Sequence, residues 1–309
     1  MTLRAVRAAF DRVPPGVWRA ARICGLVALT LIVAASLRNV DWARTGAALR
    51  DARPGWIVVA VAANTTILAC WAAFWRALRP RDERRVSYGR MFEITSTASS
   101  LMNTLPFGGG HASSVVLLIK RGETTQRGAL STLALDQLGE GIVKVMILFI
   151  AGIAVPLPVW MRAALTTISL GVAAWLVALL VAARFTRELE ILRSAWRSVI
   201  ALACVGAMKG AEFLAIASVQ AAYEVHLSMG ATLLVLATVI LATMLPISPG
   251  NLGAYEASVF FVYRYLGISP ELALSLALVQ HVCFILPAVG VGYLFVSASA
   301  LSRNAIASR

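Results

Sequence analysis

Three charged residues lie at helical spacing inside one apolar stretch of the chain. Asp136, Glu140 and Lys144 follow each other at intervals of four residues, so they share one helix face and a carboxylate can pair with the ammonium one turn away. Charged side chains are costly inside a bilayer and normally face the protein interior or a wet cavity. The pattern predicts a polar lining for a headgroup or a proton path. The alternatives are a self-neutralising structural ladder, or an Asp136 near the membrane surface.

Polar residues recur in two later apolar stretches. Lys209 and Glu212 are three residues apart, which predicts either a second part of the polar lining or a salt bridge that holds helices together. His281 is a further polar position in apolar surroundings. We assign these three residues to the candidate site in a secondary role.

Two apolar regions, residues 91–119 and 231–267, are each interrupted near the middle by proline and glycine. The halves on either side are too short to cross a hydrocarbon layer of about 30 Å. We therefore predict a re-entrant helical hairpin in each region, the alternative being two ordinary spans that are tilted or kinked. Interrupted segments in the two halves of a membrane protein commonly form a transport site.

A polar residue follows each interruption, His111 after the first and Glu256 after the second. Glycines let the backbone approach closely there, and the start of the next helix presents free N–H groups that favour an anion such as a lipid phosphate. Glu256 has a second interpretation, as a first-turn acid that bonds back to those N–H groups. His111 has the alternative role of a packing residue.

The composition is that of an integral membrane protein. The 309 residues are 59% hydrophobic and 14% charged, with a mean hydropathy of +0.79, whereas about a quarter of the residues in soluble domains are charged. The net charge of +13 comes from arginines that flank apolar stretches, which fits membrane orientation and argues against nucleic-acid binding. The sequence contains no nucleophile–base pair, metal-spaced cluster, disulfide framework or P-loop, so we predict neither an enzyme nor a cofactor or metal site.

Six further stretches are long and apolar enough to cross a bilayer, at residues 20–37, 56–75, 129–151, 160–183, 198–222 and 271–296. Placing the basic loops inside puts both termini in the cytoplasm. The first hairpin then enters from the cytoplasm and the second from the outside. The loop at 38–55 conflicts with this placement, because it is assigned to the outside and yet has four arginines.

These crossings make the two hairpin-containing units, about 91–151 and 231–296, inverted relative to each other. A weak internal repeat agrees, since Leu105-Pro106 matches Leu245-Pro246. We therefore predict one polytopic domain over residues 1–309 that contains an inverted repeat.

The motifs at the interruptions resemble those of a known family. Asn103-x-Leu105-Pro106, followed by glycines and then Lys120-Arg121, resembles the first motif of the lysylphosphatidylglycerol synthase transmembrane-region family. Pro249-Gly250-x-x-Gly253-x-x-Glu256 resembles its second and more specific motif. The resemblance covers about residues 20–300. It implicates the following residues in the site: Asn103, Pro106, Gly110, Pro249, Gly250, Gly253 and Glu256.

The resemblance implies a membrane protein that handles lipids. The best understood members act as the lipid-flipping module of aminoacyl-phospholipid synthases, and others are associated with isoprenoid-type lipids such as hopanoids. In this chain His111 and Ser114 stand where the family usually has an acid and an arginine, and Asn251 replaces a common glycine. The headgroup preference of better-known members therefore does not carry over. The chain ends at Arg309 without an aminoacyltransferase domain, so we expect no lipid aminoacylation by this polypeptide.

Together these patterns predict an all-α protein of the bacterial inner membrane, with about six spanning helices and two inverted re-entrant hairpins. We predict a flippase-like movement of a lipid with a polar or anionic headgroup, either a phospholipid or an isoprenoid or hopanoid-type lipid. The alternatives are a non-transporting subunit of a lipid-biosynthesis or export complex and an ion-coupled transporter of small solutes. Membrane lipid is the expected partner, with a lipid-biosynthetic enzyme and a second copy of the chain as further candidates.

Overall fold

The computed structural model describes residues 41–79, 83, 86–105, 109–184, 195–244 and 248–307. Within these ranges the chain is helical and contains no β-strand, so the predicted all-α membrane fold is confirmed. The predicted span at 20–37 and the candidate site residue Pro106 lie outside the described residues.

Ten α-helices and one short 3-10 turn form the described part of the chain. They are α1 (Trp42–Arg50), α2 (Pro54–Leu78), α3 (Tyr88–Thr104), α4 (Gly109–Gly122), α5 (Gln126–Ala154), α6 (Val159–Arg184), α7 (Ala195–Ala222), α8 (Met229–Thr243), the 3-10 turn Pro249–Asn251, α9 (Ala254–Tyr265) and α10 (Pro270–Ala307). Helices α3, α5 and α8 begin after a serine or threonine whose side-chain oxygen accepts a backbone N–H of the first turn, at Ser87, Thr125 and Ser228.

Four helices are long and apolar enough to cross a membrane: α2, α5, α7 and α10 up to Ala298. They match the predicted spans at 56–75, 129–151, 198–222 and 271–296. The predicted span at 160–183 also lies in one continuous helix, α6. The protein is therefore a multi-pass membrane protein.

The two interrupted regions form pairs of short helices. Helices α3 and α4 have 17 and 14 residues and pack against each other, and α8 and α9 have 15 and 12 residues and do the same. At 1.5 Å per residue, the longest measures about 26 Å and the shortest about 18 Å. All four are shorter than a hydrocarbon layer of about 30 Å, as the hydrophobic lengths predict.

The two short-helix pairs open at opposite ends of α2. At its C-terminal end, the Arg79 guanidinium donates to the Gly122 carbonyl at the end of α4, at 2.7 Å. At its N-terminal end, the Arg53 N–H donates to the Ala222 carbonyl at the end of α7, just before α8, at 2.9 Å. The start of α10, which follows α9, packs on α1 at that same end.

Each short-helix pair has its own hydrophobic core. One core joins the C-terminal half of α2 to α3, α4 and the first half of α5, with Phe74, Trp75 and Met91 fully buried. The other joins α8, α9 and α10 to the far ends of α2, α5 and α7, with Tyr263 and Leu276 at its centre. The pairs also exchange contacts with the opposite unit, since α3 packs on α10 and α8 on α5.

Candidate functional site

The two interruptions lie against each other in the fold. A Cβ atom on Gly250 would be 3.3 Å from the carbonyl oxygen of Asn103, in the last turn of α3, and 3.1 Å from Ile285 Cδ1 on α10. Gly250 therefore gives the second interruption the room to pack beside the end of α3. The chain positions selected from the two halves of the sequence meet at this point.

The carboxylate of Glu256 is bonded on both oxygens. Oε2 accepts the backbone N–H of Gly253 at 2.7 Å, and Oε1 lies 2.7 Å from Nδ1 of His281. Of the two interpretations of Glu256, the geometry shows the first-turn acid that bonds back to the start of its own helix. Glu256 itself thus occupies part of the N-terminus that was considered for an external anion.

His281 ties α10 to the second interruption. Its Nε2 lies 2.9 Å from the carbonyl oxygen of Gly250, and its side chain is 4% exposed. The imidazole stacks on the ring of Tyr255, with centroids 4.3 Å apart. The residue considered secondary from the sequence is therefore a central contact of the site.

Asp136 is held by two tryptophans of α2. Its Oδ1 accepts the indole N–H groups of Trp71 and Trp75 at 2.8 and 2.7 Å, and its Oδ2 accepts from the Gln137 amide at 3.0 Å. The residue is 1% exposed. Since the carboxylate already has three donors, this arrangement is that of an anchor between α5 and α2.

Two ion pairs lie next to this anchor. Lys144 Nζ is 2.6 Å from Glu140, and Lys209 Nζ is 2.7 Å from Glu212, with all four side chains no more than 25% exposed. Glu140 also interacts electrostatically with Lys209 and with His111. The structure thus brings together His111 of α4, Glu140 and Lys144 of α5, and Lys209 and Glu212 of α7. We call these five residues the ion-pair cluster.

A hydrogen-bonded chain of buried polar side chains runs through the core of the second unit. Thr232 donates to Gln220, Gln220 to Tyr263, Tyr263 to Gln280, and Gln280 to Tyr255, at 2.8 to 3.2 Å. This chain is absent from the predicted site. The available signal was the pair of glutamines in otherwise apolar helices, because buried amides need partners.

This chain ends at a small cavity between α2, α7, α9 and α10. Its volume is about 10 Å³, room for about one water molecule, and Asn64, Glu212, Tyr255 and Gln280 supply its polar groups. Glu212 and Tyr255 also interact electrostatically. The cavity therefore lies between Glu212 of the ion-pair cluster and Tyr255 in the first turn of α9.

Glu83 fastens the first short-helix pair at its open end. Its carboxylate accepts from Thr124 Oγ1, from the N–H and hydroxyl of Thr125 at 3.0 Å, and from Arg79 at 3.3 Å. Burial raises the pKa of Glu83, but these hydrogen bonds and the Arg79 charge outweigh it and hold the pKa below its ordinary value. This residue also went unpredicted, since only folding brings it to the start of α5.

A family model for the lysylphosphatidylglycerol synthase TM region matches residues 22–292. The chain belongs to this family. The predicted membership is thereby confirmed, and the match includes both interruptions. The comparison with curated proteins gives no match. Membership makes this a multi-pass membrane protein of a family with lipid-related function.

The second family motif shapes the backbone. Gly250, Asn251 and Gly253 have φ values of 59°, 56° and 83°, a region that glycine enters without strain and asparagine tolerates. Pro249 begins the 3-10 turn, and Gly253 precedes the first residue of α9. The motif residues Pro249, Gly250 and Gly253 therefore set the turn that positions Glu256.

The first family motif permits a close helix contact. A Cβ atom on Gly110 would collide with the Met102 backbone, with its N only 2.8 Å away, so α4 packs on α3 only with glycine here. The Asn103 amide donates to the Ser99 carbonyl of its own helix, and buried Ser114 donates to the Gly110 carbonyl, both at 2.9 Å. The His111 side chain is exposed.

Proposed function

We propose that this protein moves a lipid with a polar or anionic headgroup between the leaflets of the bacterial inner membrane. The headgroup passes along the ion-pair cluster and the meeting point of the interruptions, while the acyl or isoprenoid tails stay in the bilayer. The observation that carries the proposal is the contact between Gly250 and the end of α3, which joins two half-depth helix pairs beside buried charges.

The arrangement of the two units supports an inverted repeat over about 91–151 and 231–296. Their short-helix pairs open at opposite ends of α2, and each unit packs its first short helix on the long helix of the other. Broken helices that meet between inverted units are the usual setting of a transport site. Arginines cluster where the first pair opens, with Arg90 and Arg121 both bonded to Glu93, which supports placing this end in the cytoplasm.

The ion-pair cluster suits a headgroup that enters and leaves. Each lysine is paired with a glutamate of its own helix, so these two pairs carry no net charge. A phosphate that enters beside Lys144 or Lys209 meets an ammonium group, which offsets part of the penalty on a charge in an apolar medium. The Asn251 side-chain oxygen is buried without a hydrogen-bond partner in the described part of the chain, and so offers an acceptor to a headgroup hydroxyl or ammonium.

Liposomes that contain a headgroup-labelled phosphatidylglycerol or phosphatidylethanolamine test the proposal. In liposomes that contain the protein, label from the inner leaflet should become accessible to an added impermeant quencher faster than in liposomes without it. The double variant Glu140→Gln with Lys144→Met removes one ion pair without a net charge change. It should slow this rate about tenfold or more, because a charged hydrogen bond of about 1.5–3 kcal/mol is lost along the path.

The matched control removes an ion pair outside the cluster. Asp41→Asn with Arg44→Gln neutralises an exposed pair at the start of α1, and the rate should stay unchanged. Absence of acceleration by the unmodified protein with these lipids and with an isoprenoid phosphate would overturn transport in favour of a non-transporting subunit. Solute uptake driven by a pH gradient, without lipid movement, would instead establish the small-solute transporter.

A further inference from the structure

The small cavity between α2, α7, α9 and α10 has the size of one water molecule. Its volume is about 10 Å³, and a cavity needs about 10–15 Å³ of such space to hold a water. Each of the four helices contributes one polar side chain to its lining, namely Asn64, Glu212, Tyr255 and Gln280. Asn64, Tyr255 and Gln280 are each no more than 6% exposed, and the Glu212 side chain is 15% exposed. The cavity therefore joins buried polar groups of four helices.

Two acceptors on this lining lack a donor among the residues that the structure describes. The Glu212 carboxylate binds Lys209 through Oε2 at 2.7 Å, and its Oε1 accepts no hydrogen bond there. The Asn64 amide donates to the Ala60 carbonyl at 3.1 Å, and its own oxygen accepts none. A buried polar oxygen is normally hydrogen-bonded, either to protein or to ordered water. These two oxygens need a donor that the described side chains do not supply.

Two donors on the same lining each have a hydrogen without an acceptor in the described part of the chain. The Tyr255 hydroxyl accepts the Gln280 amide N–H at 2.8 Å, but donates to no described residue. The Gln280 amide has two N–H groups, and one of them serves Tyr255. The Gln280 oxygen already accepts from the Tyr263 hydroxyl at 3.2 Å. Tyr255 and Gln280 thus each present a hydrogen that needs an acceptor.

We propose that this cavity binds one structural water molecule. The water accepts from Tyr255 and Gln280, and donates to Glu212 and Asn64. A buried water makes two to four hydrogen bonds, so two acceptors and two donors match its full capacity. A cation such as Na⁺ takes oxygen ligands but would leave the second Gln280 N–H facing a positive charge. An anion would face the Glu212 carboxylate. The site does not depend on the proposed lipid movement.

The bound water closes a gap in a hydrogen-bonded path. On one side, Gln280 belongs to the chain of buried polar side chains that ends at Thr232. On the other side, Glu212 pairs with Lys209 in the ion-pair cluster. Glu212 and Tyr255 make no direct hydrogen bond in the structure, so the water supplies the contact between this cluster and the first turn of α9. Removing the polar group on one side should then change what the group on the other side contributes to stability.

An experimental structure of the full chain in a lipidic mesophase, at a resolution that shows ordered water, tests the site directly. One density peak should lie within about 2.7–3.2 Å of all four polar groups. A dry cavity overturns the proposal, and so does a Tyr255 hydroxyl bonded directly to Glu212. The melting temperature should be the same in sodium chloride and in choline chloride at equal ionic strength. Stabilisation by Na⁺ alone would assign the cavity to a cation and overturn the water.

Asn64→Leu tests the lining of the cavity. It replaces an acceptor with a larger apolar side chain that takes up the space, so the water density should disappear. Thr65→Val is the matched control, because Thr65 is the next residue of α2, donates to the Val61 carbonyl of its own helix and does not line the cavity. The density should persist in this control. Water that stays in place in Asn64→Leu would overturn the assignment of Asn64 as a partner.

A double-mutant cycle tests the link that the water makes. Glu212→Gln and Tyr255→Phe are made singly and together, and the unfolding equilibrium is measured in mixed micelles of rising SDS content. Their effects should be non-additive by about fivefold or more in the unfolding constant. In the Asn64→Leu background the two effects should add, because the bridging water is gone. Non-additivity that persists there would show a direct electrostatic link and overturn the bridging role. The structure of the unmodified protein decides the site even if a variant fails to fold.

Discussion

Asp136→Ala should destabilise the protein because it leaves two buried indole N–H donors without an acceptor. The Asp136 carboxylate accepts the indole N–H groups of Trp71 and Trp75, at 2.8 and 2.7 Å, in a position that is 1% exposed. Alanine leaves both indoles without an acceptor in an interior that offers no bulk water. The change therefore tests whether the carboxylate anchors α5 to α2.

The expected cost follows from these donors. Each buried donor left without a partner costs about 1–3 kcal/mol, so the two indoles together give about 2–6 kcal/mol. Asp136→Asn retains a carbonyl oxygen that can take the place of Oδ1, and the Gln137 amide can turn its oxygen toward the new NH₂. The asparagine variant should therefore lose only about 1 kcal/mol.

Thermal unfolding in detergent, followed by the loss of monodisperse protein, measures the difference. The same Asp136→Ala change should be made in a background with Trp71→Phe and Trp75→Phe. There it should cost much less, because the donors that it would strand are already gone.

Two results would refute the anchor. One is an equal loss of stability in the alanine and asparagine variants, and the other is an equal cost of Asp136→Ala with and without the tryptophans. Asp136→Asn also separates anchoring from translocation. A stable asparagine variant that no longer moves lipid would give the charge itself a role in transport, as the sequence pattern predicts.

Three further changes probe contacts at other places in the fold. The pKa of Glu83 lies below its ordinary value in the folded protein. The ionised Glu83 side chain therefore stabilises the fold fully above about pH 4.3, and this stabilisation is lost as pH falls through the lower folded pKa. Glu83→Gln should abolish this loss when unfolding is measured over a series of acidic pH values, and should cost about 1–3 kcal/mol of stability near neutral pH. Gly110→Ala should cost about 1–3 kcal/mol or more by overpacking, whereas Gly171→Ala, with no atom within 4 Å of the new Cβ, should be neutral or slightly stabilising in the same thermal assay. Tyr263→Phe removes the hydroxyl between two glutamines and should cost about 1–3 kcal/mol of stability. An unchanged melting temperature would show that the hydrogen-bonded chain does not stabilise the protein.

Properties that depend on neighbours along the chain could be predicted from the sequence. Hydrophobic length identifies the long helices, and the proline and glycine interruptions identify the short ones. The Glu140–Lys144 pair forms as its four-residue spacing indicates, and Lys209–Glu212 forms at three. All of these follow from helix geometry and need no knowledge of how the helices pack.

Contacts between distant segments could not be predicted in this way. Trp71 and Trp75 precede Asp136 by 65 and 61 residues, and 25 residues separate Glu256 from His281. A buried indole N–H usually has an acceptor, but nothing in the local pattern shows which polar group on another helix supplies it. The importance of His281 likewise arises only when α10 packs on the start of α9.

The arginine-rich loop at 38–55 illustrates a case in which structure explains a conflicting pattern. Arg44 pairs with Asp41, which also caps α1, and Arg53 pairs with Glu224 in the loop between α7 and α8. Both acids lie near the same end of α2 as the arginines. Part of the positive charge is thus neutralised locally, which weakens the argument that this loop must face the cytoplasm.

The two interruptions differ in the contacts that hold them. The first depends on an apolar close approach, Gly110 on Met102, and leaves His111 of the ion-pair cluster exposed. The second is closed by polar bonds among Gly250, Glu256 and His281, whose ionisable groups are already paired within the protein. A side chain that already makes hydrogen bonds within the protein must break them before it can bind a headgroup. An exposed side chain can bind a headgroup directly. If the protein moves lipid as proposed, we therefore expect headgroup preference to depend on the first interruption more than on the second.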